Sequence, residues 1–226
     1  MDLKFFKKSA PTLIIMAFFS VIMIFAIYSL LTPEKKLPVY NPADVNPRLV
    51  DESLIHIRRN HKVLDFKLIN QNGDTITQED YKGKIYIADF FFTTCPTICP
   101  IMKTQMLRVY ENFQDNPSVM ILSHTIDPKH DSVAVLHEFA DRLGVSSKTW
   151  HFVTGEQEEI YDIGQNSYMV TAREDPDEPG GYLHSGAFLL IDKERRVRGI
   201  YDGTKADKVD LLMEDIDKLL SEYSVE

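Results

Sequence analysis

Cysteine is nearly absent from this chain, with two in 226 residues. That count excludes a disulfide-stapled scaffold, and one chain cannot supply a four-thiolate zinc site. Basic charge is also short: 25 Lys and Arg stand against 34 Asp and Glu, a net charge of -9 at pH 7. No basic surface is large enough to neutralise a phosphate backbone, so nucleic acid is not a partner. A 44% hydrophobic and 26% charged composition leaves no room for long disorder or a collagen-like repeat, and no internal repeat is visible. What remains is one well-packed domain with an appendage.

The appendage lies where charge is missing altogether. Residues 9–33 carry no charged side chain, and residues 10–31 are dense in Leu, Ile, Phe, Met and Val. That stretch, as a helix, spans about 33 Å, which matches a hydrocarbon core of about 30 Å. Pro11 falls in the first turn, where its missing N–H costs nothing. The run has no small-x-small cleavage triplet and no lipobox cysteine, so it reads as an uncleaved anchor rather than a signal peptide. Lys4, Lys7 and Lys8 precede it while Lys35 and Lys36 follow, which favours a cytoplasmic N-terminus. The expected layout is a cytoplasmic segment at 1–9, a transmembrane anchor at 10–31, an extended tether at 32–53 and a globular domain at 54–226. Pro33, Pro38, Pro42 and Pro47 punctuate the tether. The protein is thus expected to be single-pass in the cytoplasmic (inner) membrane, with its C-terminal domain on the extracytoplasmic side. Five of the basic and two of the acidic residues lie at or before Lys36, so the rest carries 20 against 32, or -12. Basic partner surfaces would be attracted.

Along the domain, Val63, Phe66 and Leu68, then Asn72-Gly73, then Ile76 predict a hairpin closing near Gly83. The unbroken run Ile85-Tyr86-Ile87-Ala88-Asp89-Phe90-Phe91-Phe92 predicts a central strand covered on both faces. It breaks at Thr93-Thr94-Cys95-Pro96, after which Ile98, Met102, Met106, Val109 and Phe113 recur at helical spacing. A second strand over 119–126, a helix through Val133, Leu136, Ala140 and Leu143 opened at Asp127-Pro128 or Asp131, and a strand over 150–153 follow. A helix over 156–168, an acidic Pro/Gly loop at 174–181, a hairpin over 187–201 and a C-terminal helix entered through Thr204 complete the chain. Alternating strands and helices ending strand-strand-helix predict an α/β sandwich around a mixed sheet.

Both cysteines therefore flank a strand-to-helix turn, as Cys95-Pro96-Thr97-Ile98-Cys99. A thiol at a helix N-terminus meets unpaired N–H groups and the positive end of the dipole, which lower its pKa from about 8.5 to roughly 3.5–7.5. Positions i and i+4 share a helical face, so both sulfurs can address one point, as a disulfide or around one soft cation. A purely structural disulfide is the plainer alternative, but so short a ring constrains little chain entropy. Met102 and Met106 read as core rather than as thioether ligands. Asp127 and Asp131 are accounted for by helix capping, and the acidic loop at 174–178 by solvation or by contact with a basic face.

Taken in order, Asp89-Phe90-Phe91-Phe92-Thr93-Thr94-Cys95-Pro96-Thr97-Ile98-Cys99-Pro100, Ser123-His124-Thr125-Ile126-Asp127-Pro128, Leu183-His184-Ser185-Gly186 and Arg198-Gly199-Ile200-Tyr201-Asp202-Gly203 resemble one family. These stretches, with the anchor, are similar to the SCO or SenC proteins, membrane-anchored thioredoxin-fold factors that assemble the copper centre of cytochrome c oxidase. The resemblance implies a thioredoxin-like sandwich with a mixed central sheet flanked by helices. It also implies copper bound by Cys95, Cys99 and His184, as Cu(I), with Cu(II) left open. The implied partners are a copper donor protein and the CuA-bearing subunit of the oxidase. Two thiolates and an imidazole suit Cu(I), which prefers soft ligands and tolerates a low coordination number. Of seven histidines only His184 gains from position as well as resemblance; His124 is the reserve, more simply read as buried and hydrogen-bonded.

Three functions compete. A metallochaperone would pass copper to the CuA site by ligand exchange, with no covalent turnover. A thiol-disulfide oxidoreductase would attack with Cys95 and resolve with Cys99, reducing the oxidase's own copper-ligand cysteines. Thioredoxins, however, have C-x2-C and a proline before the facing strand, where this chain has C-x3-C and Leu183-His184-Ser185. A peroxidase of the peroxiredoxin type would need proline at position 88 and threonine at 92, and the chain has Ala88 and Phe92. Zinc bound by Cys2His with a water fits the arithmetic, and the resemblance speaks against it.

Overall fold

The computed structural model describes residues 14–25, 27, 36–45, 53–175 and 182–224. The chain divides into two compact units, Met1–Lys36 and Leu37–Glu226. In the first, residues 14–25 are helical and their large apolar side chains are exposed. Among the described residues no helix is long and apolar enough to cross a membrane. The remainder of the expected anchor, at 10–13, 26 and 28–31, lies outside the described residues.

The second unit is built on a seven-stranded sheet. Its strands are β1 (Lys67–Asn70), β2 (Thr75–Thr77), β3 (Ile85–Phe91), β4 (Val119–Thr125), β5 (Trp150–Thr154), β8 (Ala187–Ile191) and β9 (Val197–Asp202), with β6 (Ala172–Glu174) and β7 (Tyr182–His184) forming a separate pair. The order across the large sheet is β2-β1-β5-β4-β3-β8-β9. The pairings β3–β4 and β4–β5 are parallel and the others antiparallel, so the sheet is mixed as expected. All seven residues of β3 and of β4 are buried. Their side chains alternate between two packed faces. Helices α1 (Cys99–Phe113), α2 (Val133–Leu143), α3 (Gln157–Asp162) and α4 (Ala206–Glu222) complete the unit.

Local chemistry explains the turns. The β1–β2 hairpin closes where the Asn70 side-chain oxygen accepts from the amides of Asn72 and Asp74, each at 2.9 Å. Gly73 there takes φ +83°, which favours a residue without Cβ. The β8–β9 turn is wound on the Asp192 carboxylate, which accepts from the amides of Glu194 and Arg196.

Two helix openings differ from expectation, and a third helix changes its winding along its length. Helix α2 is opened by Ser132, whose hydroxyl accepts from the Val135 amide, and not by Asp127 or Asp131. Helix α4 follows Lys205, because the Thr204 hydroxyl is turned to Asp202 at 2.6 Å. The expected helix over 156–168 is present over 157–167, as α3 continued by a π-helical turn at Ile163–Ser167.

The tether expected at 32–53 is in part docked. Leu37 donates its amide to Glu222 at 2.7 Å, and the Arg198 guanidinium donates to the carbonyls of Leu37 and Pro38 at 2.8 and 3.0 Å. Tyr40 then bridges to Val197 on the β9 edge. Arg198 is buried and ion-paired with Asp192 at 3.1 Å and Glu222 at 2.7 Å. A buried guanidinium needs acceptors on every side, and the strap's two carbonyls complete the set. The second compact unit accordingly takes in this strap from Leu37.

Candidate metal centre

Strand β3 delivers the chain directly to the cysteines. Cys95 lies in the turn and Cys99 is the first residue of α1. Only Cys99 is helical, so the sulfurs meet because the turn folds Cys95 over the helix start, not by an i, i+4 relation within a helix. Ile98 precedes α1 with no side-chain cap, and Pro100 occupies the first turn. The orphan amides of that end are used differently: the Cys95 sulfur accepts from the backbone N–H groups of Cys99 and Thr97 and interacts with the Cys99 thiol. The Thr97 hydroxyl lies 3.6 Å from the same sulfur.

The two thiols differ electrostatically. Burial pushes the Cys95 thiol up, but the donors from Cys99 and Thr97 outweigh it, and its pKa is lowered. Burial raises Cys99 strongly. The neighbouring Cys95 and Asp89 charges add to that rise, against a donor from the Phe92 backbone. The donors favour the thiolate at Cys95, while burial keeps the proton on Cys99. Both are buried, and no disulfide joins them.

Beneath Cys99 sits a cavity of about 20 Å³ lined among others by Asp89, Ser123, Met102, Met106 and Trp150. Met102 and Met106 are core, as expected. Asp89 was not singled out from sequence. It is buried and accepts a very short hydrogen bond from the Ser123 hydroxyl, which itself accepts from Trp150 Nε1 at 2.8 Å. Burial raises the Asp89 carboxyl to about 7. The signal that could have found it is an acid in the middle of an otherwise apolar central strand.

His124 is buried on the other face of the sheet, stacked on Phe90 at 4.7 Å. Its Nδ1 lies 3.3 Å from the Asp89 carbonyl, and Nε2 has no partner among the described residues. Burial lowers its pKa to about 4. The buried reading of His124 therefore holds, with only one nitrogen hydrogen-bonded. His184 ends β7, its backbone paired with Ala172; its side chain lies outside the described residues. Among the described residues no three His, Cys, Asp or Glu side chains form a metal-holding group.

The backbone next to His184 is near the cysteine turn. A Cβ on Gly186 would stand 3.5 Å from Ile98 Cδ1 and 3.3 Å from Thr204 Cγ2. The Tyr182 ring packs on Phe92, with centroids 5.2 Å apart. The hairpin that carries position 184 is thereby seated against the start of α1. Gly186→Val should wedge that seat open and destabilise the protein by about 1–3 kcal/mol, which a urea midpoint would read; an unchanged midpoint would mean that the hairpin is not held there.

The donor chemistry suits a soft cation. A sulfur whose thiolate form the backbone amides favour adjoins a second sulfur in an apolar shell, and neither a hard oxygen cage nor a tetrahedral four-sulfur set is present among the described residues.

Residues 56–221 match the SCO1/SenC family model. The SCO1 protein homolog of Bacillus subtilis (strain 168) is 31% identical over 159 residues, 70% of this chain and 82% of that protein. BsSco, described as a member of the Sco family of cytochrome c oxidase assembly proteins with a disulfide switch, is 30% identical with a TM-score of 0.59, covering 69% of this chain and 93% of that one. The crystal structure of Arabidopsis thaliana ScoI with copper bound is 27% identical with a TM-score of 0.59, covering 71% and 98%.

Proposed function

This chain belongs to the SCO1/SenC family and has its thioredoxin-like α/β fold, and from that premise we propose that it is a membrane-anchored copper metallochaperone. Copper is its cargo. Cys95, Cys99 and His184 bind the ion, and the protein delivers it to the CuA site during cytochrome c oxidase assembly. The carrying observation is the unequal thiol pair at the start of α1, a sulfur that amide donors bias toward the thiolate beside a second whose proton burial retains. Cys95 captures a soft ion first; Cys99 then gives up its proton as it joins, and proton release accompanies loading. An imidazole from position 184 completes a three-coordinate Cu(I) set. So few ligands leave the ion open to exchange with an acceptor's thiolates.

The anchor is residues 10–31, of which 14–25 are helical with their apolar side chains exposed. It holds the domain on the extracytoplasmic side of the cytoplasmic membrane, where the oxidase acceptor and the copper donor meet it.

An anaerobic Cu(I) competition titration of the detergent-solubilised chain against a chromogenic chelator tests this reading. Wild type should take up one Cu(I), and His184→Ala should weaken binding by at least roughly 10- to 100-fold, the cost of losing even an outer-sphere partner. The same inequality of thiols favours a second reading, a thiol-disulfide reductase in which Cys95 attacks and Cys99 resolves. Weak binding, or binding indifferent to His184, would put that reading first.

A further inference from the structure

Two buried carboxylates in the loop after β4 cap no helix, and their partners lie in the segments that carry the proposed ligands. Asp131 is fully buried and accepts from the Thr93 amide at 3.0 Å, from the Thr93 hydroxyl at very short range, and from the Thr125 hydroxyl at 2.5 Å. His130 Nδ1 lies 3.0 Å from its outer oxygen. Asp127 accepts from the Tyr182 hydroxyl at 2.8 Å and the His130 amide at 3.3 Å. Thr125 links the two, since its hydroxyl also accepts from the Asp127 amide at 3.1 Å. The Tyr182 ring lies on Phe92, and Phe92 is bonded to Thr93. The contacts close a circuit: Thr93, Asp131, Thr125, Asp127, Tyr182, Phe92. The loop is fixed to the sheet by the Ile126 amide on the Phe91 carbonyl and by the Tyr161 hydroxyl on the Ile126 carbonyl.

Burying two carboxylates is costly unless each is fully hydrogen-bonded, and α2 already has its cap in Ser132. Their bonds go instead to Thr93, two positions before Cys95, and to Tyr182, two positions before His184. We propose that Asp127 and Asp131 are positioning residues, a carboxylate brace that locks the cysteine turn to β7 and so presets the spacing of the thiol pair and the histidine-bearing strand. The brace rests on the reading of Cys95, Cys99 and His184 as the working site. Its effect is preorganisation: the turn is held in the form in which the Cys99 and Thr97 amides donate to Cys95, before any metal arrives.

The deciding measurement is the equilibrium constant of the Cys95/Cys99 dithiol–disulfide couple in glutathione buffers, which requires no copper. Oxidation joins the two sulfurs, with both thiol protons released and two electrons passed to glutathione disulfide, which becomes two glutathione thiols. Full-length Asp131→Asn, Asp127→Asn, Thr93→Val and Tyr182→Phe would be compared with wild type, with the thermal melt measured in parallel. Loosening the turn removes donors from the reduced Cys95 sulfur. Each variant should therefore move the equilibrium several-fold toward the disulfide, Asp131→Asn most, and should also bind Cu(I) more weakly. Thr93→Val and Tyr182→Phe each delete one hydroxyl and keep the test open should an aspartate variant fail to fold. Equilibria equal to wild type in the folded variants would overturn the brace. Absence of Cu(I) binding in wild type itself would overturn the metallochaperone reading, and the glutathione equilibria would still decide on the brace.

Discussion

Cys99→Ser is expected to abolish tight Cu(I) binding, and Cys95→Ser to do the same by a different route. Serine at 99 keeps the volume but offers a hard oxygen whose proton is not displaced near neutral pH, in a site where burial already disfavours charge. Serine at 95 removes the sulfur that the Cys99 and Thr97 amides stabilise, so the first point of capture is lost and those donors face a poor acceptor. In wild type the affinity should rise with pH, because Cys99 enters the site protonated and must release its proton to bind. Competition titrations at several pH values would read both effects, with circular dichroism to confirm the fold. Undiminished affinity in either serine variant would remove the thiol pair from the copper site.

Asp89→Asn should make the protein more stable at pH 8, by up to about 4 kcal/mol at 1.36 kcal/mol per pH unit. The sign follows from the carboxyl's two environments. Folded, it holds its proton up to about 7; unfolded, it does so only below about 3.8. The folded state therefore binds more protons between those values, and the stability that this supplies at low pH is lost as pH rises through 7. His124 acts the other way. Its folded value of about 4 lies below 6.5, so the unfolded state binds more protons in that window and stability falls as pH is lowered. Between pH 4 and 6.5 the two slopes oppose each other, and wild type should show a nearly flat urea midpoint. Asp89→Asn would unmask the histidine, giving a protein that gains at pH 8 and loses about 3 kcal/mol on descent from pH 6.5 to 4. A flat profile in the variant would overturn the lowered value of His124, and a variant no more stable than wild type at pH 8 would show that burial does not raise the Asp89 carboxyl.

Much of this was legible in the sequence, and the parts that were not share a cause. Strand β3, the two tight hairpins and the turn at Cys95-Pro96-Thr97-Ile98-Cys99 declare themselves through local pattern: unbroken apolar runs, Asn-Gly, and helical spacing after Pro96. Ser132 is hidden in the sequence by Asp127-Pro128 and Asp131, which look like better caps. Their side chains were drawn away to Tyr182 and Thr93, partners 55 and 38 positions distant. The β6–β7 pair was hidden because three-residue strands flanking an acidic loop leave no periodicity. The docked strap was read as a tether because prolines speak for extension, and only Arg198, far along the chain, reveals what grips it.

That grip has a mechanical meaning. A pull on the N-terminal side of Leu37 is met first by the Arg198 guanidinium and the Glu222 carboxylate, and the load passes into β9 and α4. Strand β9 is an edge of the sheet, with β8 standing between it and the strand that leads to Cys95. Tension applied there is therefore borne at a rim, and the cysteine turn sits off the line of force. A domain pulled from its N-terminal side would keep its thiol geometry until the rim itself gave way.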